Sequence, residues 1–530
     1  MIVPLSLAAI ALFVTYLYRK LQYKRLQQYA IFPQPTPSLP LGHLQVIDEF
    51  MKKAPPKAHA DMAFAAMHEA IGRPPVMLVD LRPVNSCLLI VGSYQVAEQI
   101  SRSSDQFPYA PPKVVEIWKP MEYLTGPKSI ISAEGEEWRA LRKRFNPGFA
   151  PQHLIKLLPS IMDKMSAFID HLDTYARTGE EFSLQDRATD LTFDIIGRVV
   201  LDIDMQAQTA HPNEFMRRFR PLIETYASES IDLPWWCTPL QELKRYRLAS
   251  WAKQHLRTMV HQRHSEGRRG NASRSILSMS LQDIETLTPA IVDVTCDQLT
   301  SFLFAGHDTT STLMSWAFYE LSRTPHALRA VRSELDHLFG PDSSPQAVRA
   351  RLLAPGGEEL IHRMSYTTAV LKETLRLWPP GATAKFIEPG TGFTITTPET
   401  GDLCVDGLMI YFITSIIQRD PKAFGESANN FVPERWLKDT DQIPTGAWRP
   451  FERGPRNCIG QELATIEARV LIALVARRYD FTKMGVGSVA LDAFGKPELD
   501  EYGQMKVVSD MYMVSIRPFH PLSFCRHVYL

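Results

Sequence analysis

Closely spaced cysteines are absent from this sequence. Its 530 residues include only six cysteines, which lie far apart, and no two of them form a C-x-x-C pair. A disulfide framework or a zinc site normally needs several cysteines at short spacing. The sequence therefore argues against a small disulfide-stabilised fold and predicts a protein of a reducing compartment.

An excess of charge of either sign is also absent. Lys+Arg and Asp+Glu are each 58, so the formal net charge is zero. Proteins that bind DNA or RNA usually carry a basic surface that neutralises phosphates. We therefore expect no nucleic-acid partner.

Flexible linkers are missing from the body of the chain. Between residues 45 and 520 there is no repeat and no long stretch of glycine, serine or like charge. Domain boundaries usually fall in such linkers. The sequence predicts one large catalytic domain over residues 45–530.

The N-terminus is the one long apolar run. The residues from Ile2 to Tyr18 are almost wholly apolar, and Arg19 and Lys20 follow. Such a run is at the lower limit for crossing a bilayer, and positive charge after it predicts a cytosolic body. We predict a transmembrane anchor over residues 1–20. A cleaved signal peptide is the alternative, but no basic residues precede the run and no small-residue cleavage site follows it.

Residues 21–44 are predicted to be a basic, proline-rich hinge. Prolines cannot continue a helix and favour a stiff, extended connector. The alternative is an ordinary interdomain spacer. The prolines of the hinge are Pro33, Pro35, Pro37 and Pro40.

The most informative segment is the decapeptide Phe-Glu-Arg-Gly-Pro-Arg-Asn-Cys-Ile-Gly, which ends at Gly460. It places Cys458 before an apolar helical pattern, whose N–H groups and dipole favour a thiolate. Gly454 and Gly460 let the backbone come close where a Cβ would collide. Arg456 offers a planar set of donors for a carboxylate, and Phe451 can shield the sulfur. The pattern suits a thiolate bound to a large flat metal cofactor; the alternative is a buried free cysteine.

A second polar motif lies inside a long apolar helix. Thr288 and Pro289 are suited to a helix start, and the next proline is Pro325, so one helix of roughly 54 Å is predicted. Its middle contains Ala-Gly-His-Asp-Thr-Thr, in which Asp308 and Thr309 are costly to bury unless satisfied or used. The alternative is a threonine that bonds back to a preceding carbonyl and bends the helix.

Together these motifs resemble those of the cytochrome P450 family, F-x-x-G-x-R-x-C-x-G and [A/G]-G-x-[D/E]-T-[T/S]. The resemblance implies a mainly α fold with small β-sheets, in which the long central helix passes over haem b and Cys458 binds the iron. It also implies that Gly306 leaves room for dioxygen, and that Asp308 and Thr309 supply the protons that break the O–O bond. His307 occupies an unspecified motif position, which favours a satisfied core or surface histidine.

The family's E-x-x-R mark occurs six times, beginning at Glu136, Glu214, Glu242, Glu266, Glu320 and Glu373. Only the last is followed by Leu-Trp-Pro-Pro, the expected helix stop. By resemblance, Glu373, Arg376 and Arg435 form a structural triad that holds the segment leading to the cysteine loop. A surface pair at i,i+3 spacing is the alternative.

The resemblance also implies a set of cofactor contacts. Trp138 and Arg142 match W-x-x-x-R, whose side chains reach a haem propionate, and Arg456 is expected to bind the other propionate. Two departures are present: Gln418 stands where the family often has histidine, and Lys385 stands near the position of a frequent arginine. The full predicted cofactor set is Trp138, Arg142, Lys385, Phe451, Gly454, Arg456 and Gly460.

The function implied is a haem-thiolate monooxygenase that inserts one oxygen atom from O2 into a lipophilic or polycyclic substrate, by C–H hydroxylation or epoxidation. The run from Trp448 to Ala464 is similar to fungal enzymes of secondary metabolism, and the anchor implies the endoplasmic reticulum membrane. A haem-thiolate isomerase or dehydratase and a non-enzymatic haem sensor are the alternatives. The substrate-contacting segments would include Phe107, Trp118, Leu124, Trp235, Trp236, Phe302, Ala382, Thr383, Met511 and Met513.

No flavin domain is expected in the roughly 70 residues after the cysteine. Electrons are therefore expected from NADPH through a separate NADPH–cytochrome P450 reductase, or through a small haem electron carrier. Four basic residues are candidates for docking this partner, and a solvated basic face is the alternative. They are Arg139, Lys143, Arg144 and Arg453.

Overall fold

The computed structural model describes residues 2–54, 59–114, 119–226, 237–437 and 443–509, together with the strand residues 513–514, 517–518 and 523–527. Helices dominate these residues, as predicted, and the sheets are small. The α-helices are α1 (Ile2–Gln22), α2 (Leu44–Lys53), α3 (Ala60–Ala70), α4 (Tyr94–Ser101), α5 (Glu122–Thr125), α6 (Gly135–Phe145), α7 (Pro151–Thr178), α8 (Leu184–Ile196), α9 (Glu214–Glu224), α10 (Pro239–Arg268), α11 (Ile276–Ser280), α12 (Pro289–Arg323), α13 (Pro325–Phe339), α14 (Pro345–Leu353), α15 (Gly357–Arg363), α16 (Ser365–Leu377), α17 (Thr414–Ile417), α18 (Pro421–Phe424) and α19 (Gln461–Val475).

The strands of the described residues form four small sheets. The largest has the order β1-β2-β7-β4, in which β2 and β7 are parallel and the other neighbours are antiparallel. A three-stranded sheet has the order β3-β11-β8, and β5-β6 and β9-β10 are antiparallel pairs. The strands are β1 (Val76–Asp80), β2 (Cys87–Val91), β3 (Phe182–Ser183), β4 (Thr383–Phe386), β5 (Thr394–Thr397), β6 (Gly401–Cys404), β7 (Met409–Phe412), β8 (Asp480–Lys483), β9 (Met513–Val514), β10 (Arg517–Pro518) and β11 (Ser523–His527).

Helix α12 forms the centre of the molecule and agrees closely with the predicted long helix. The Thr288 side chain accepts a hydrogen bond from the Ile291 N–H at 3.3 Å, and the 35 residues rise about 52 Å. Most of its side chains are buried, and it packs along α8. A helix that is buried on nearly every side fixes the positions of its few polar groups, because the surrounding core prevents rotation.

The N-terminal segment differs from the prediction. Helix α1 continues past residue 20 and is followed by a π-helical turn, Tyr23–Gln27. Among the residues that the structure describes, no helix combines the length and the apolar character needed to cross a membrane. The predicted anchor over residues 1–20 is therefore not supported.

The proline-rich segment is bound to the catalytic body. The buried Arg25 guanidinium forms an ion pair with Asp80 of β1 at 2.6 Å and donates to the Leu39 carbonyl at 3.1 Å. The Leu78 N–H donates to the Pro33 carbonyl at 2.8 Å. These contacts fix residues 25–43 against the first sheet.

The E-x-x-R residues and Arg435 meet as the resemblance implies. The Glu373 carboxylate accepts two hydrogen bonds from Arg376 at 2.8 Å and one from Arg435 at 3.0 Å, and both Glu373 and Arg376 are fully buried. The Val432 N–H and the Trp436 indole N–H donate to the same carboxylate at 2.9 Å. The carboxylate therefore joins α16 to the segment that precedes the cysteine loop.

A second buried E-x-x-R pair was not predicted. Glu320 on α12 pairs with Arg323 at 3.0 Å and accepts hydrogen bonds from the Trp378 indole at 2.7 Å and the Gln504 amide at 2.8 Å. Trp378 stacks on Trp316 with ring centroids 3.8 Å apart. This pair joins the end of α12 to the residues after α16.

We expect Glu373→Gln to lower the free energy of unfolding by about 3–5 kcal/mol, because it leaves two buried guanidinium groups without their counter-charge. Burial alone raises the pKa of Glu373, yet Arg376 and Arg435 hold it below its usual value, so the side chain is ionised in the folded protein. Urea unfolding followed by circular dichroism measures the change.

The matched control is Glu136→Gln. Glu136 and Arg139 have the same spacing and a 3.3 Å contact, but both side chains are largely exposed, so the free energy of unfolding should stay unchanged. Equal losses in the two variants would contradict the role of the buried triad.

Candidate functional site

Cys458 lies in a hydrogen-bonded loop immediately before α19. Its N–H donates to the Phe451 carbonyl at 2.8 Å, which closes the loop. Burial raises the pKa of the thiol, although the N–H of Gly460, Arg142 and the N–H of Gln461 act in the opposite direction. The helix start does favour the thiolate, as predicted, but burial outweighs it. A bound metal ion is then what ionises the sulfur.

The two predicted glycines of this loop have different surroundings. Gly454 has φ +75°, and a Cβ there would lie 2.0 Å from the Ser101 carbonyl oxygen, so only glycine fits. At Gly460 the nearest atom to a Cβ is the Cys458 sulfur at 3.9 Å, which is ordinary contact. Gly454 therefore brings the loop against the end of α4, and Gly460 leaves the space beside the sulfur open.

A group of charges between α4 and the loop was not predicted. Glu98 pairs with Arg453 at 2.6 Å and lies 3.8 Å from the buried Arg449 guanidinium. Arg449 also donates to the Ser101 hydroxyl at 2.6 Å and to Glu452. These contacts hold the loop against α4.

Arg456 points to a cluster of cations in the interior. It donates to the Ala133 carbonyl at 2.9 Å, pairs with Glu134, and lies over the Trp138 ring at 4.8 Å. Burial and the nearby Arg456 lower the pKa of Lys385 to about 8. Lys385 itself is buried and donates to the Pro111 carbonyl at 3.0 Å.

Lys113 belongs to the same cluster and was missed by sequence reasoning. It faces Lys385 across an isolated β-bridge, and its N–H donates to Glu134 at 2.9 Å. Burial, Arg456 and Lys385 lower its pKa to about 7. No motif marks it, because the two cations near it, Lys385 and Arg456, lie more than 250 residues away in sequence.

Arg142 and Gln418 both bind backbone. Arg142 donates to the Asn457 carbonyl at 2.6 Å and to its side-chain oxygen at 3.0 Å, so it supports the residue next to Cys458. Gln418 is fully buried and donates to the carbonyls of Leu375 and Arg376 at 3.0 Å. Its side-chain oxygen accepts a hydrogen bond from the Arg449 N–H at 2.7 Å. Gln418 therefore joins the end of α16 to Arg449, and its described side-chain hydrogen bonds go to these groups and not to the cation cluster.

The polar turn of α12, residues 305–310, lines an internal cavity. Asp308 is buried, and the Thr309 hydroxyl donates to the Ala305 carbonyl at 2.8 Å. Both side chains line a cavity of about 1000 Å³, together with Ile131, Phe304 and Ala382. Ala384 of β4 lines the same cavity.

Gly306 and His307 face helix α8. A Cβ on Gly306 would lie 2.6 Å from the Ile196 side chain, so close packing of the two helices requires a glycine here. Its expected role in leaving room for dioxygen stays a prediction. His307 is fully buried, stacks on Phe193 at 3.9 Å and bonds the Leu303 carbonyl at 2.9 Å. This matches the expectation of a satisfied core histidine.

Several predicted substrate contacts belong to the core. Phe302 packs between Phe145 and Phe149, with ring centroids 5.3 and 5.1 Å apart, and Leu124 is fully buried. Their places on the cavity wall are taken by neighbours, because one helical residue turns a side chain by about 100°. Four predicted contacts lie outside the described residues, as does the Met513 side chain; the four are Trp118, Trp235, Trp236 and Met511.

Most of the predicted docking residues are bound within the protein. Arg144 donates to the Ser280 carbonyl at 2.9 Å and the Thr295 hydroxyl at 2.8 Å. Arg453 pairs with Glu98, and Arg139 pairs with Glu136. Lys143 is exposed on α6, the helix that also carries Arg139 and Arg144.

The residues present fit haem b. The Cys458 side chain has accessible surface although protein surrounds it, so the sulfur faces an internal space. Three cations, Lys113, Lys385 and Arg456, share the two carboxylates of Glu134 and Glu452. A flat cofactor with two carboxylates would balance this charge while its metal reached the sulfur.

Comparison with known proteins agrees with this geometry. The family model for Cytochrome P450 matches residues 32–492. The cytochrome P450 monooxygenase acrF of Aspergillus aculeatus is 30% identical over 462 residues, which cover 81% of this chain and 89% of acrF. A bifunctional cytochrome P450/NADPH–P450 reductase of Gibberella moniliformis is 30% identical over 324 residues, covering 58% of this chain and 27% of that protein.

The fold has a solved counterpart. The crystal structure of the cytochrome P450DA heme domain superposes with a TM-score of 0.72 at 18% identity, covering 94% of this chain and 98% of that domain. With the cysteine loop, the triad and the polar turn of α12 all in place, the chain belongs to the cytochrome P450 family and is a haem-thiolate monooxygenase.

Proposed function

We propose that this enzyme inserts one oxygen atom from O2 into a lipophilic or polycyclic substrate, by C–H hydroxylation or epoxidation, in the biosynthesis of a secondary metabolite. The observation that carries the proposal is the presence of Asp308 and Thr309, side by side on a buried helix, on the wall of the cavity. A haem-thiolate isomerase or dehydratase needs no proton supply at that position.

The chain's own residues divide the work. When bound, haem supplies the iron at which dioxygen is reduced. Cys458 would hold that iron and donate electron density to it, and Arg456, Lys385 and Lys113 would bind the carboxylates of the cofactor. Thr309 and Asp308 hold and pass the protons that break the O–O bond. Trp138 and Phe451 would fix the plane of the cofactor, and Arg142 holds the cysteine loop through Asn457.

The substrate class follows from the cavity wall beside Thr309. Ile131, Phe304 and Ala305 are apolar there, and Pro380 and Ala382 continue the apolar surface. Such a wall binds apolar carbon, although the lining of the cavity also includes Arg73, Arg323, Arg419 and Lys422. We therefore propose a lipophilic substrate, whose carbon nearest Thr309 is oxidised.

Electrons are proposed to come from NADPH through a separate reductase. The bifunctional relative carries both activities in one chain, which supports NADPH as the electron source. Lys143 and Arg139 are the exposed candidates for the docking surface, since Arg144 and Arg453 bind buried groups of the protein. The position of the catalytic body on the cytosolic side of the endoplasmic reticulum stays a prediction. Asn271, Ala272 and Ser273 form an N-glycosylation sequon, so a glycan on Asn271 would contradict that position.

Turnover with and without NADPH tests the function. We expect the holoenzyme, with a reductase and a panel of lipophilic compounds, to give a product that carries one 18O atom from 18O2 and to need NADPH. Mass spectrometry measures the label. A product that forms without NADPH would indicate an isomerase, and the absence of product with any compound that perturbs the haem spectrum would indicate a sensor.

We expect Thr309→Ala to divert reduced oxygen to peroxide. Reduction of O2 to peroxide uses one NADPH, and reduction to water uses two. The ratio of NADPH to O2 consumed therefore measures O–O cleavage in the absence of a known substrate. General acid catalysis contributes about 10²–10⁴-fold, so the ratio should fall to nearly one. Oxygen-electrode and NADPH assays give the ratio.

Thr174→Ala is the matched control for this change. Thr174 makes the same bond to the carbonyl four residues earlier, at 2.9 Å, but it is exposed on α7. Its ratio should equal that of the unaltered enzyme. An unchanged ratio in Thr309→Ala would contradict the proton-supply role.

We expect Lys113→Met to release haem about 10-fold faster, because a charged hydrogen bond contributes about 1.5–3 kcal/mol. Transfer of haem to apomyoglobin measures the rate. Lys128→Met, at an exposed lysine, is the control and should leave the rate unchanged. Equal rates in the unaltered protein and in Lys113→Met would remove Lys113 from the cofactor site.

A further inference from the structure

The polar turn of α12 is held by hydroxyl groups. Three of its carbonyl oxygens accept a side-chain hydroxyl: Ala305 from Thr309 at 2.8 Å, His307 from Thr192 at 2.7 Å, and Asp308 from Ser311 at 2.9 Å. Hydroxyls that bond helix carbonyls compete with the helical N–H groups and bend the helix. The competition covers the turn that carries Asp308 and Thr309.

Thr192 is the only one of these three donors that comes from another helix. It lies on α8 and is almost completely buried. Its hydroxyl has three carbonyls within reach: His307 at 2.7 Å, Ala188 at 2.9 Å and Thr189 at 3.1 Å. A hydroxyl has one proton and therefore donates one strong hydrogen bond. The shortest of the three contacts is the one to the His307 carbonyl of α12.

The neighbours of Thr192 fix the same turn by packing. Phe193 stacks on His307 with the rings 16° from parallel, and Ile196 fills the space that the missing Cβ of Gly306 leaves. Because these contacts come from consecutive turns of α8, sliding of α8 along α12 would break them together. Helix α8 therefore sets the register of the turn.

A second contact of α8 supports the far end of the turn. The buried Gln185 amide donates to the Ser311 hydroxyl at 3.0 Å, and the Thr189 hydroxyl lies 3.2 Å from it. Ser311 then donates to the Asp308 carbonyl. The backbone of Asp308 is thus connected to α8 through one intervening hydroxyl.

We propose that Thr192 is a positioning residue for proton delivery by Asp308 and Thr309. The inference rests on the function proposed for those two side chains. The Thr192 hydroxyl holds the His307 carbonyl against α8, and this fixes the position of the turn on the cavity wall. Without it the turn loses this hydrogen bond to α8, and the Asp308 and Thr309 side chains shift on the cavity wall.

The test is Thr192→Val in the haem-loaded full chain with a reductase. Valine keeps the shape and removes the hydroxyl. We expect the haem content and the carbon monoxide spectrum to stay unchanged, while water formation from O2 falls about 10-fold, as small displacements of catalytic groups cause. The NADPH-to-O2 ratio then moves toward one, and peroxide accounts for the difference.

Two further variants separate the role of the hydroxyl from packing. Thr192→Ser restores the donor and should restore the ratio of the unaltered enzyme, although it removes a methyl group. Thr174→Val removes an exposed threonine hydroxyl on α7 and should have no effect. A ratio in Thr192→Ser as low as that in Thr192→Val would overturn the proposal.

Thr309→Ala, assayed in parallel, separates this inference from the proposed function. A changed ratio in Thr309→Ala with an unchanged ratio in Thr192→Val would overturn the positioning role alone. Unchanged ratios in both variants would overturn the proton-supply role and the positioning role together.

Discussion

The Cys458 sulfur lies in the protein interior, where burial disfavours its ionised form. The surrounding structure follows from this constraint. Burial raises the pKa of Cys458, and the N–H groups at the start of α19 offset only part of that cost. The iron of the cofactor supplies the rest, because metal coordination ionises a thiol. The loop must therefore present the sulfur to one metal at one position, without the freedom of a surface cysteine.

Buried ion pairs provide that position from two directions. Glu373 pairs with Arg376 and Arg435 and joins α16 to the segment before the loop, and Glu98 pairs with Arg453, lies near Arg449 and joins α4 to the loop. Pairs of this kind add little net stability, since desolvation opposes their attraction. Their contribution is geometric, because a buried charge that leaves its partner is costly. The cation cluster around Lys113 follows the same logic, because the carboxylates of Glu134 and Glu452 share its charge with those that a bound cofactor would bring.

Much of this arrangement could be predicted from the sequence, because short motifs carry it. The cysteine loop, the polar turn of α12 and the Glu373 pair each lie within ten residues, and a helix start and stop bracket α12. The contacts that were missed join distant segments. Lys113 meets Lys385 across a bridge, Thr192 meets His307 across two helices, and Glu98 meets Arg453 more than 350 residues later. The motif marks Gly306, but only the tertiary structure shows that a Cβ there would collide with the Ile196 side chain of α8. No local pattern distinguishes Glu320 from the exposed Glu136, since both begin E-x-x-R and only the tertiary fold buries one of them.

The most direct test of the account is the carbon monoxide spectrum of the reduced protein with serine at position 458. If the Cys458 sulfur binds the iron, the unaltered protein shows the absorption band typical of a thiolate ligand, and Cys458→Ser loses that band. A second variant, Cys404→Ser, changes an exposed cysteine on β6 and should keep it. A thiolate-type band that persists in Cys458→Ser would contradict the assignment of the iron ligand and every role derived from it.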